Sequence, residues 1–314
     1  MTPTSLEIGL VGPMAAAFLE SLQRLYVVHR LWETERSSRS VRSRLTAIVT
    51  DGSRGASANL MESLPNLQLI ACNGVGVDAI DLDAARRRGV AVTTTPDVLT
   101  DDVADLAVAL MLAVCRQIPL GDDFARSGRW SQGPMALGRR ASGKAAGIVG
   151  LGRIGHAVAR RLTAFNMHVA YTGRRKTTDA YEYVDDLGAL ARNVQFLFLT
   201  APGGSATRGI VNRGVLEALG PEGVLINVAR GSLVNEDALV ETLLTGRLGG
   251  AGLDVFVNEP WIPEPLKTMP NVVLLPHQGS ATIESRAAMA ALVLDNLAAH
   301  FAGKPLISPL TLSS

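Results

Sequence analysis

The sequence predicts an α/β protein with two doubly wound domains, each built on a parallel sheet. Short, continuous Val/Ile/Leu runs alternate with helical spacers along the whole chain, which is typical of parallel strands buried on both faces. The 314 residues are enough for two hydrophobic cores. With 47% hydrophobic and 19% charged residues, the composition is that of a globular chain and not of a disordered one.

Two series of apolar runs define the predicted strands. The first series is LEIGLVG, YVVHRL, LTAIVT, LQLIACNG and VAVTTT, and the second is AAGIVG, HVAYTG, FLFLT, GVLINVA, AGLDVF and VVLLPH. Where the two series meet, Thr100 can cap a helix that begins at Asp101, and the acidic residues that follow suit its first turn. We expect this helix to cross from one domain to the other.

The C-terminal segment, residues 284–300, has helical periodicity and follows the last strand of the second series. We expect it to return to the first domain and to make that domain discontinuous. The predicted boundaries are therefore 1–98 plus 286–314 for the first domain and 99–285 for the second.

Charge and hydropathy argue against several classes of protein. The net charge of +1 predicts no strong attraction to nucleic acid or to acidic membranes. The N-terminal MTPTSLEIGLVG lacks the basic region and long apolar core of a signal peptide. The most apolar helical stretch, residues 103–114, is interrupted by Asp105 and is too short to span a bilayer. We therefore expect a cytoplasmic protein, and we predict no metal site.

The motif GLGRIG follows a predicted strand, opens a helical segment and is followed by a second strand. This is the context of a dinucleotide-binding fingerprint, although the pattern alone is weak evidence. Gly150 would permit the tight turn, Gly152 would let the pyrophosphate approach the backbone, and Gly155 would let helix and strand pack closely. The alternative is a tight strand-to-helix turn that binds nothing.

The stretch YTGRRK ends the second strand of this fingerprint, about twenty residues after the glycine turn. A chain that prefers NAD usually carries an Asp or Glu there, and such a carboxylate would repel a 2′-phosphate. Here Gly173 leaves space beside the ribose, and Arg174 and Arg175 can bind the phosphate by paired, charge-assisted hydrogen bonds, with Lys176 in support. The position of this stretch relative to the glycine turn favours NADP(H) as the cofactor. The alternative is a solvated basic turn.

Three residues of the last third of the chain each follow an apolar run: Arg230, Glu259 and His277. They should therefore lie at carboxyl ends of parallel strands, where doubly wound sheets bind ligands. A histidine beside a carboxylate can act as an acid towards a carbonyl oxygen, and an arginine can bind a carboxylate. Taken singly, they could equally be a surface arginine, a turn carboxylate and a core histidine.

With these residues assembled, the chain resembles the D-isomer-specific 2-hydroxyacid dehydrogenase family, and within it the NADPH-dependent glyoxylate/hydroxypyruvate reductase group. The blocks GLGRIG, NVARGSLVNEDALVETL, GAGLDVFVNEP and LLPHQGSAT match the family's signatures in order, and CNGVGVD and TPDVLTDDVADLA match the group's. The resemblance implies a flavodoxin-like substrate domain and a Rossmann NAD(P)-binding domain with a cleft between them. It also implies a homodimer built through the cofactor domains.

The resemblance implies a role for each matching residue. Arg230 would bind the substrate carboxylate and carbonyl, His277 would be the general acid/base, and Glu259 would orient it. The backbone of Gly74, Val75 and Gly76 would bind the substrate carboxylate. The cofactor would also contact Arg153 and Ile154 beside its pyrophosphate, and Thr100, Val228, Asp254 and Gly279 around its nicotinamide.

The predicted function is NADPH-dependent reduction of a small 2-oxo acid, glyoxylate or hydroxypyruvate, to the D-2-hydroxy acid. One alternative is a bulkier arylpyruvate-type substrate, if the loop that contains Trp130 and Met135 shapes the pocket. A second alternative is an NAD(P)H-sensing regulatory protein with a dehydrogenase fold. Against it stands the lack of extra tails or low-complexity segments that would bind a protein partner.

Overall fold

The computed structural model describes residues 6–33, 38–178 and 180–311. The first part of the chain contains β1 (Glu7–Leu10), α1 (Ala16–Leu25), β2 (Val27–Arg30), α2 (Arg39–Arg42), β3 (Ala47–Thr50), α3 (Ala58–Glu62), β4 (Leu69–Cys72), α4 (Leu82–Arg87) and β5 (Ala91–Thr93). The remainder contains α5 (Thr100–Cys115), α6 (Ile118–Arg126), β6 (Ala145–Val149), α7 (Arg153–Ala164), β7 (His168–Thr172), β8 (Glu182–Tyr183), α8 (Leu187–Arg192), β9 (Phe196–Leu199), α9 (Arg213–Leu219), β10 (Val224–Asn227), α10 (Glu236–Leu244), β11 (Gly250–Leu253), β12 (Val272–Leu274) and α11 (Ile283–Phe301).

The chain divides into two compact units. Unit 1 comprises Met1–Leu99 and Thr282–Ser314, and unit 2 comprises Thr100–Ala281. The assignment of substrate binding to the first domain and of dinucleotide binding to the second stays a prediction.

The sheet of unit 1 is parallel, with the order β2-β1-β3-β4-β5 in the described residues. Neighbouring side chains of its central strands enter different apolar clusters, because successive residues of a strand point to opposite faces. Ile48 and Ile70 belong to one cluster, and Val49 and Leu69 belong to the other. Both faces are therefore buried, as the continuous apolar runs predict.

Helix α11 packs on one face of the unit 1 sheet, where Val293 and Leu297 join the cluster that contains Leu69. Its buried Asn296 fastens the chain that follows, because the side-chain oxygen accepts hydrogen bonds from the backbone N–H groups of Ile307 and Ser308 at 3.0 and 3.1 Å. The C-terminal segment is thereby part of unit 1.

The sheet of unit 2 is also parallel, and its described strands have the order β12-β11-β10-β9-β6-β7-β8. The strand order reverses between β6 and β9, and doubly wound sheets bind ligands at the carboxyl ends of strands beside such a reversal. The α/β prediction is therefore confirmed, with two details changed. The short β8 is an additional strand, and α5 begins at Thr100, one residue before the predicted start.

Within the described residues, no single helix is long and apolar enough to cross a membrane. Helices α5 and α6 together meet the length and composition criteria, but the chain bends by 60° between them.

Candidate active site

The turn between β6 and α7 contains three glycines, two of which close backbone contacts require. Gly150 has a φ of +93°, and a Cβ there would lie 2.6 Å from the Cα of Ala201. A Cβ on Gly155 would lie 2.4 Å from the carbonyl oxygen of Gly150. Beside Gly152, by contrast, the space around a Cβ is open to 4 Å. The turn therefore has room for a pyrophosphate at the N-terminus of α7, which fits a dinucleotide.

The loop after β9 completes this turn. The hydroxyl of Thr200 donates a hydrogen bond to the carbonyl oxygen of Gly150 at 2.7 Å, and the backbone of Ala201 packs against the same glycine. Sequence reasoning did not identify these two residues, although the polar end of the run FLFLT was a signal for a strand terminus. They hold the glycine turn at the point where the strand order reverses.

The basic loop follows β7 directly. Gly173, Arg174, Arg175 and Lys176 are all exposed. Arg174 and Arg175 make no hydrogen bond or ion pair with another residue of the described chain, and a Cβ on Gly173 would meet nothing within 4 Å. The loop therefore offers open space and accessible guanidinium groups, which fits a ribose with a 2′-phosphate.

Glu259 and His277 form a hydrogen-bonded pair. Nδ1 of His277 lies 2.7 Å from Oε2 of Glu259, and Oε1 accepts a hydrogen bond from the backbone N–H of Phe256 at 3.1 Å. An ionised carboxylate can only accept, so Nδ1 carries the proton of this hydrogen bond. Burial raises the pKa of Glu259, but the His277 hydrogen bond and charge, the Phe256 N–H and the charge of Arg230 lower it more, and the pKa lies below its usual value of 4.5.

The loop that presents His277 is anchored by Asp254. The backbone N–H groups of Gln278 and Gly279 donate to the two carboxylate oxygens of Asp254 at 2.6 and 2.8 Å, and that of His277 donates to its carbonyl oxygen at 2.9 Å. His277 has a φ of +55°, which is uncommon for a residue with a side chain. Burial raises the pKa of Asp254 more than these hydrogen bonds and the charge of His277 lower it. Sequence reasoning did not identify this anchoring role.

Arg230 lies three residues beyond the end of β10. The buried side chain of Asn227 accepts a hydrogen bond from the N–H of Ala229 at 3.0 Å and donates to the carbonyl oxygen of Arg230 at 2.9 Å. Nη1 of Arg230 in turn donates to the carbonyl oxygen of Ala229 at 2.7 Å. The arginine backbone is therefore fixed by its own strand end.

Close backbone packing joins the Arg230 loop to the Glu259 loop. A Cβ on Gly231 would lie 2.0 Å from the carbonyl carbon of Phe256, so only glycine fits there without displacement. At the next peptide, the N–H of Val257 donates to Oε1 of Glu236, the first residue of α10, at 3.1 Å. The structure thus brings the trio together, and Gly231 and Glu236 are supporting residues that the sequence analysis missed.

The other predicted cofactor contacts lie in unit 2 at strand ends or helix starts. Arg153 and Ile154 are the first two residues of α7, and Thr100 is the first residue of α5. Val228 is buried directly after β10. No group of His, Cys, Asp and Glu among the residues that the structure describes could hold a metal ion.

The predicted substrate loop follows β4 in unit 1. The N–H of Gly74 donates to the carbonyl oxygen of Cys72 at 3.0 Å, and the carbonyl of Gly74 accepts from the N–H of Thr95 at 2.9 Å. The N–H groups of Val75 and Gly76 make no hydrogen bond to another described residue. The binding of a carboxylate by the backbone of Gly74, Val75 and Gly76 stays a prediction.

Comparison with known proteins agrees with this geometry. The family profile described as D-isomer specific 2-hydroxyacid dehydrogenase, NAD binding domain, matches residues 108–279. A glyoxylate/hydroxypyruvate reductase A of Arabidopsis thaliana is 45% identical over 97% of this chain and 99% of its own length. A hydroxyphenylpyruvate reductase of Plectranthus scutellarioides is 46% identical over 96% of this chain and 97% of its own. An NADPH-dependent glyoxylate/hydroxypyruvate reductase of Sinorhizobium meliloti, solved with NADP and malonate, superposes with a TM-score of 0.92 at 40% identity over 98% of both chains.

The fold and the site define a dinucleotide-dependent oxidoreductase with a histidine–carboxylate pair. The chain belongs to the D-isomer-specific 2-hydroxyacid dehydrogenase family. The resemblance to the glyoxylate/hydroxypyruvate reductase group is thereby confirmed.

The contact at Gly231 can be tested by a single added methyl group. In Gly231→Ala the new Cβ must displace the Phe256–Val257 backbone, which shifts Glu259 relative to Arg230. We expect kcat to fall roughly 100-fold, because displacements of about 1 Å at a catalytic group have effects of that order. Steady-state kinetics would measure it. Gly121→Ala in α6 is the control, since its Cβ would make only an ordinary contact at 3.6 Å; parent-like kcat in both variants would contradict the positioning role.

Proposed function

We propose that the protein reduces a small 2-oxo acid, such as glyoxylate or hydroxypyruvate, to the D-2-hydroxy acid with NADPH. The observation that carries this proposal is the 2.7 Å contact between Nδ1 of His277 and Oε2 of Glu259, near Arg230 and in the same unit as the glycine turn. The Arabidopsis and Sinorhizobium relatives, which are named as glyoxylate/hydroxypyruvate reductases, support the choice of substrate class.

His277 is the proton donor in this proposal. Its Nδ1–H is held by Glu259, so Nε2 is the nitrogen that can give a proton to the carbonyl oxygen of the substrate. The same hydrogen bond fixes the orientation of the imidazole ring. When bound, NADPH supplies the hydride that the carbonyl carbon receives. Hydride and proton together convert the 2-oxo acid into the 2-hydroxy acid.

Arg230 binds and polarises the substrate. Its planar guanidinium suits a carboxylate, and its positive charge also stabilises the oxygen that becomes negative as the hydride arrives. The backbone hydrogen bonds from Asn227 and the close packing at Gly231 fix the position from which the side chain extends. Arg230 therefore orients the substrate and His277 protonates it.

The cofactor proposal rests on the loop after β7. Arg174 and Arg175 replace the carboxylate that NAD-preferring proteins carry, and they would bind the 2′-phosphate of NADPH with support from Lys176. The Sinorhizobium relative, which is NADPH-dependent and was solved with NADP, supports the same choice.

An arylpyruvate is the second candidate substrate. The Plectranthus relative, a hydroxyphenylpyruvate reductase, is as similar to this chain as the Arabidopsis glyoxylate/hydroxypyruvate reductase is. Identity alone therefore does not choose between a small and an aromatic 2-oxo acid.

We also propose that the protein is a homodimer that associates through unit 2. The segment from α6 to residue 137 exposes four large apolar side chains, namely Ile118, Leu120, Trp130 and Leu137, and the last two are 74% and 93% exposed. Several large apolar side chains exposed along one segment are typical of protein interfaces.

Sedimentation equilibrium tests the dimer. We expect twice the chain mass for the parent, and a shift towards the monomer for the double variant Trp130→Ser/Leu137→Ser, because two exposed apolar contacts are lost. Trp32→Ser, at an exposed tryptophan of unit 1, is the control and should remain dimeric. A parent that sediments as a monomer would contradict the dimer.

A substrate panel tests the activity itself. We expect loss of NADPH absorbance on addition of glyoxylate or hydroxypyruvate, and a higher kcat/KM for one of these than for phenylpyruvate and hydroxyphenylpyruvate. The reverse order would select the arylpyruvate candidate. Silence with every 2-oxo acid, together with tight NADPH binding, would instead favour an NAD(P)H-sensing regulator.

Removal of the acid tests the mechanism. In His277→Ala we expect kcat to fall on the order of 10²–10⁴-fold, the usual contribution of a positioned acid, while the dissociation constant for NADPH changes little. Glu259→Gln should show a smaller loss, because the imidazole remains but loses its fixed anion. Stopped-flow single turnovers and fluorescence titration of NADPH separate the two effects. A His277→Ala enzyme with the parent's turnover would refute the assignment.

A further inference from the structure

Among the residues that the structure describes, the hydroxyl group of Tyr171 forms its hydrogen bonds with the end of the basic loop. It accepts from the backbone N–H groups of Thr177 and Thr178 at 2.8 and 3.2 Å, and it donates to the carbonyl oxygen of Thr178 at 3.1 Å. The hydroxyl of Thr177 lies 3.5 Å away. Tyr171 itself is fully buried in β7. One phenol oxygen therefore organises the turn at residues 177–178.

A second tyrosine lies at the other end of the same loop. The hydroxyl of Tyr183, in β8, is 3.1 Å from the carbonyl oxygen of Gly173 and 2.9 Å from Oδ1 of Asp185. The rings of Tyr171 and Tyr183 contact each other, with centroids 5.3 Å apart. The two ends of the loop at residues 173–178 are thus held by a pair of packed tyrosines.

Hydrophobic packing does not explain these hydroxyl groups. A phenylalanine would fill the buried space of the Tyr171 ring equally well, and a buried hydroxyl costs free energy unless it is hydrogen-bonded. Burial raises the pKa of the Tyr171 hydroxyl, but the hydrogen bonds that it receives from Thr177 and Thr178, with the charge of Lys176, lower it more. The phenol oxygen thus serves chiefly as an acceptor for the loop backbone.

We propose that Tyr171 is a positioning residue for cofactor specificity, which with Tyr183 holds the loop so that Arg174 and Arg175 are arranged for a 2′-phosphate before it binds. This inference rests on the proposed preference for NADPH. Between its fastened ends the loop is exposed at Gly173, Arg174, Arg175 and Lys176. Without the fastening, the cofactor would have to order the loop on binding, at an entropic cost that NAD, which has no 2′-phosphate, does not incur.

Calorimetric titration of Tyr171→Phe with NADP⁺ and with NAD⁺ tests the proposal without any turnover. We expect the dissociation constant for NADP⁺ to rise roughly tenfold, the equivalent of one or two lost hydrogen bonds, and that for NAD⁺ to change less than about twofold. Tyr26→Phe is the matched control, because it removes the hydroxyl of a buried tyrosine of unit 1 and should leave both constants unchanged.

The double variant Arg174→Ser/Arg175→Ser separates this inference from the proposed function. If the parent binds NAD⁺ as tightly as NADP⁺, or if this variant keeps the parent's preference, the NADPH proposal fails and the inference fails with it. If the variant loses the preference but Tyr171→Phe keeps it, only the role of Tyr171 is refuted. In the double-variant background, Tyr171→Phe should have no further effect on either constant.

Tyr183→Phe gives an independent measurement, because it releases the loop at Gly173 and leaves the buried ring of Tyr171 in place. We expect the dissociation constant for NADP⁺ to rise again while that for NAD⁺ changes little. Thermal unfolding midpoints identify any variant that is misfolded. An equal loss of NADP⁺ and NAD⁺ affinity in correctly folded Tyr171→Phe and Tyr183→Phe would show that the tyrosines support the domain generally, and would overturn the proposal.

Discussion

The parallel register of the unit 2 sheet is the constraint on which the rest of the site depends. Because all its strands run in one direction, their carboxyl ends meet at one edge, and the chain after each strand is free to form a loop there. The glycine turn follows β6, the basic loop follows β7, and the three residues proposed to be catalytic follow β10, β11 and β12. A strand in the opposite direction would remove its loop from this edge.

Close backbone packing and hydrogen bonds from side chains to the backbone hold these loops against one another. The glycine turn packs against the loop after β9 at Gly150, and the Arg230 loop packs against the Glu259 loop at Gly231. Carboxylates then fix peptides of these loops: Asp254 binds the His277 loop and Glu236 binds Val257. Rigid loops of this kind lower the cost of assembling a reactive geometry, because little motion has to be frozen when ligands bind.

The sequence predicts the strands well, because the end of an apolar run marks the end of a strand. For the same reason it places Arg230, Glu259 and His277 after strands, where the structure has them, while their catalytic role stays a prediction. It does not reveal which loops touch. The Asp254–Gly279 and Glu236–Val257 hydrogen bonds join residues 25 and 21 positions apart, and nothing in local periodicity encodes those contacts. The hydroxyl of Tyr171 is hidden for a different reason, since a tyrosine in an apolar strand is easily explained by its ring alone. The two-residue β8 is too short to show any alternation.

The two oxygens of the Glu259 carboxylate have different partners, and this limits how protons can move through the site. One oxygen accepts a hydrogen bond from a backbone N–H and the other from Nδ1 of His277. The imidazole ring therefore cannot flip without breaking its hydrogen bond to Glu259. If His277 is the acid, the nitrogen that gives up a proton must also be the one that regains it. Nε2 of His277 then both donates the proton and takes up the next one, and the bound product blocks access to Nε2 until it dissociates. His277 would therefore regain its proton only after product release and before the next substrate binds.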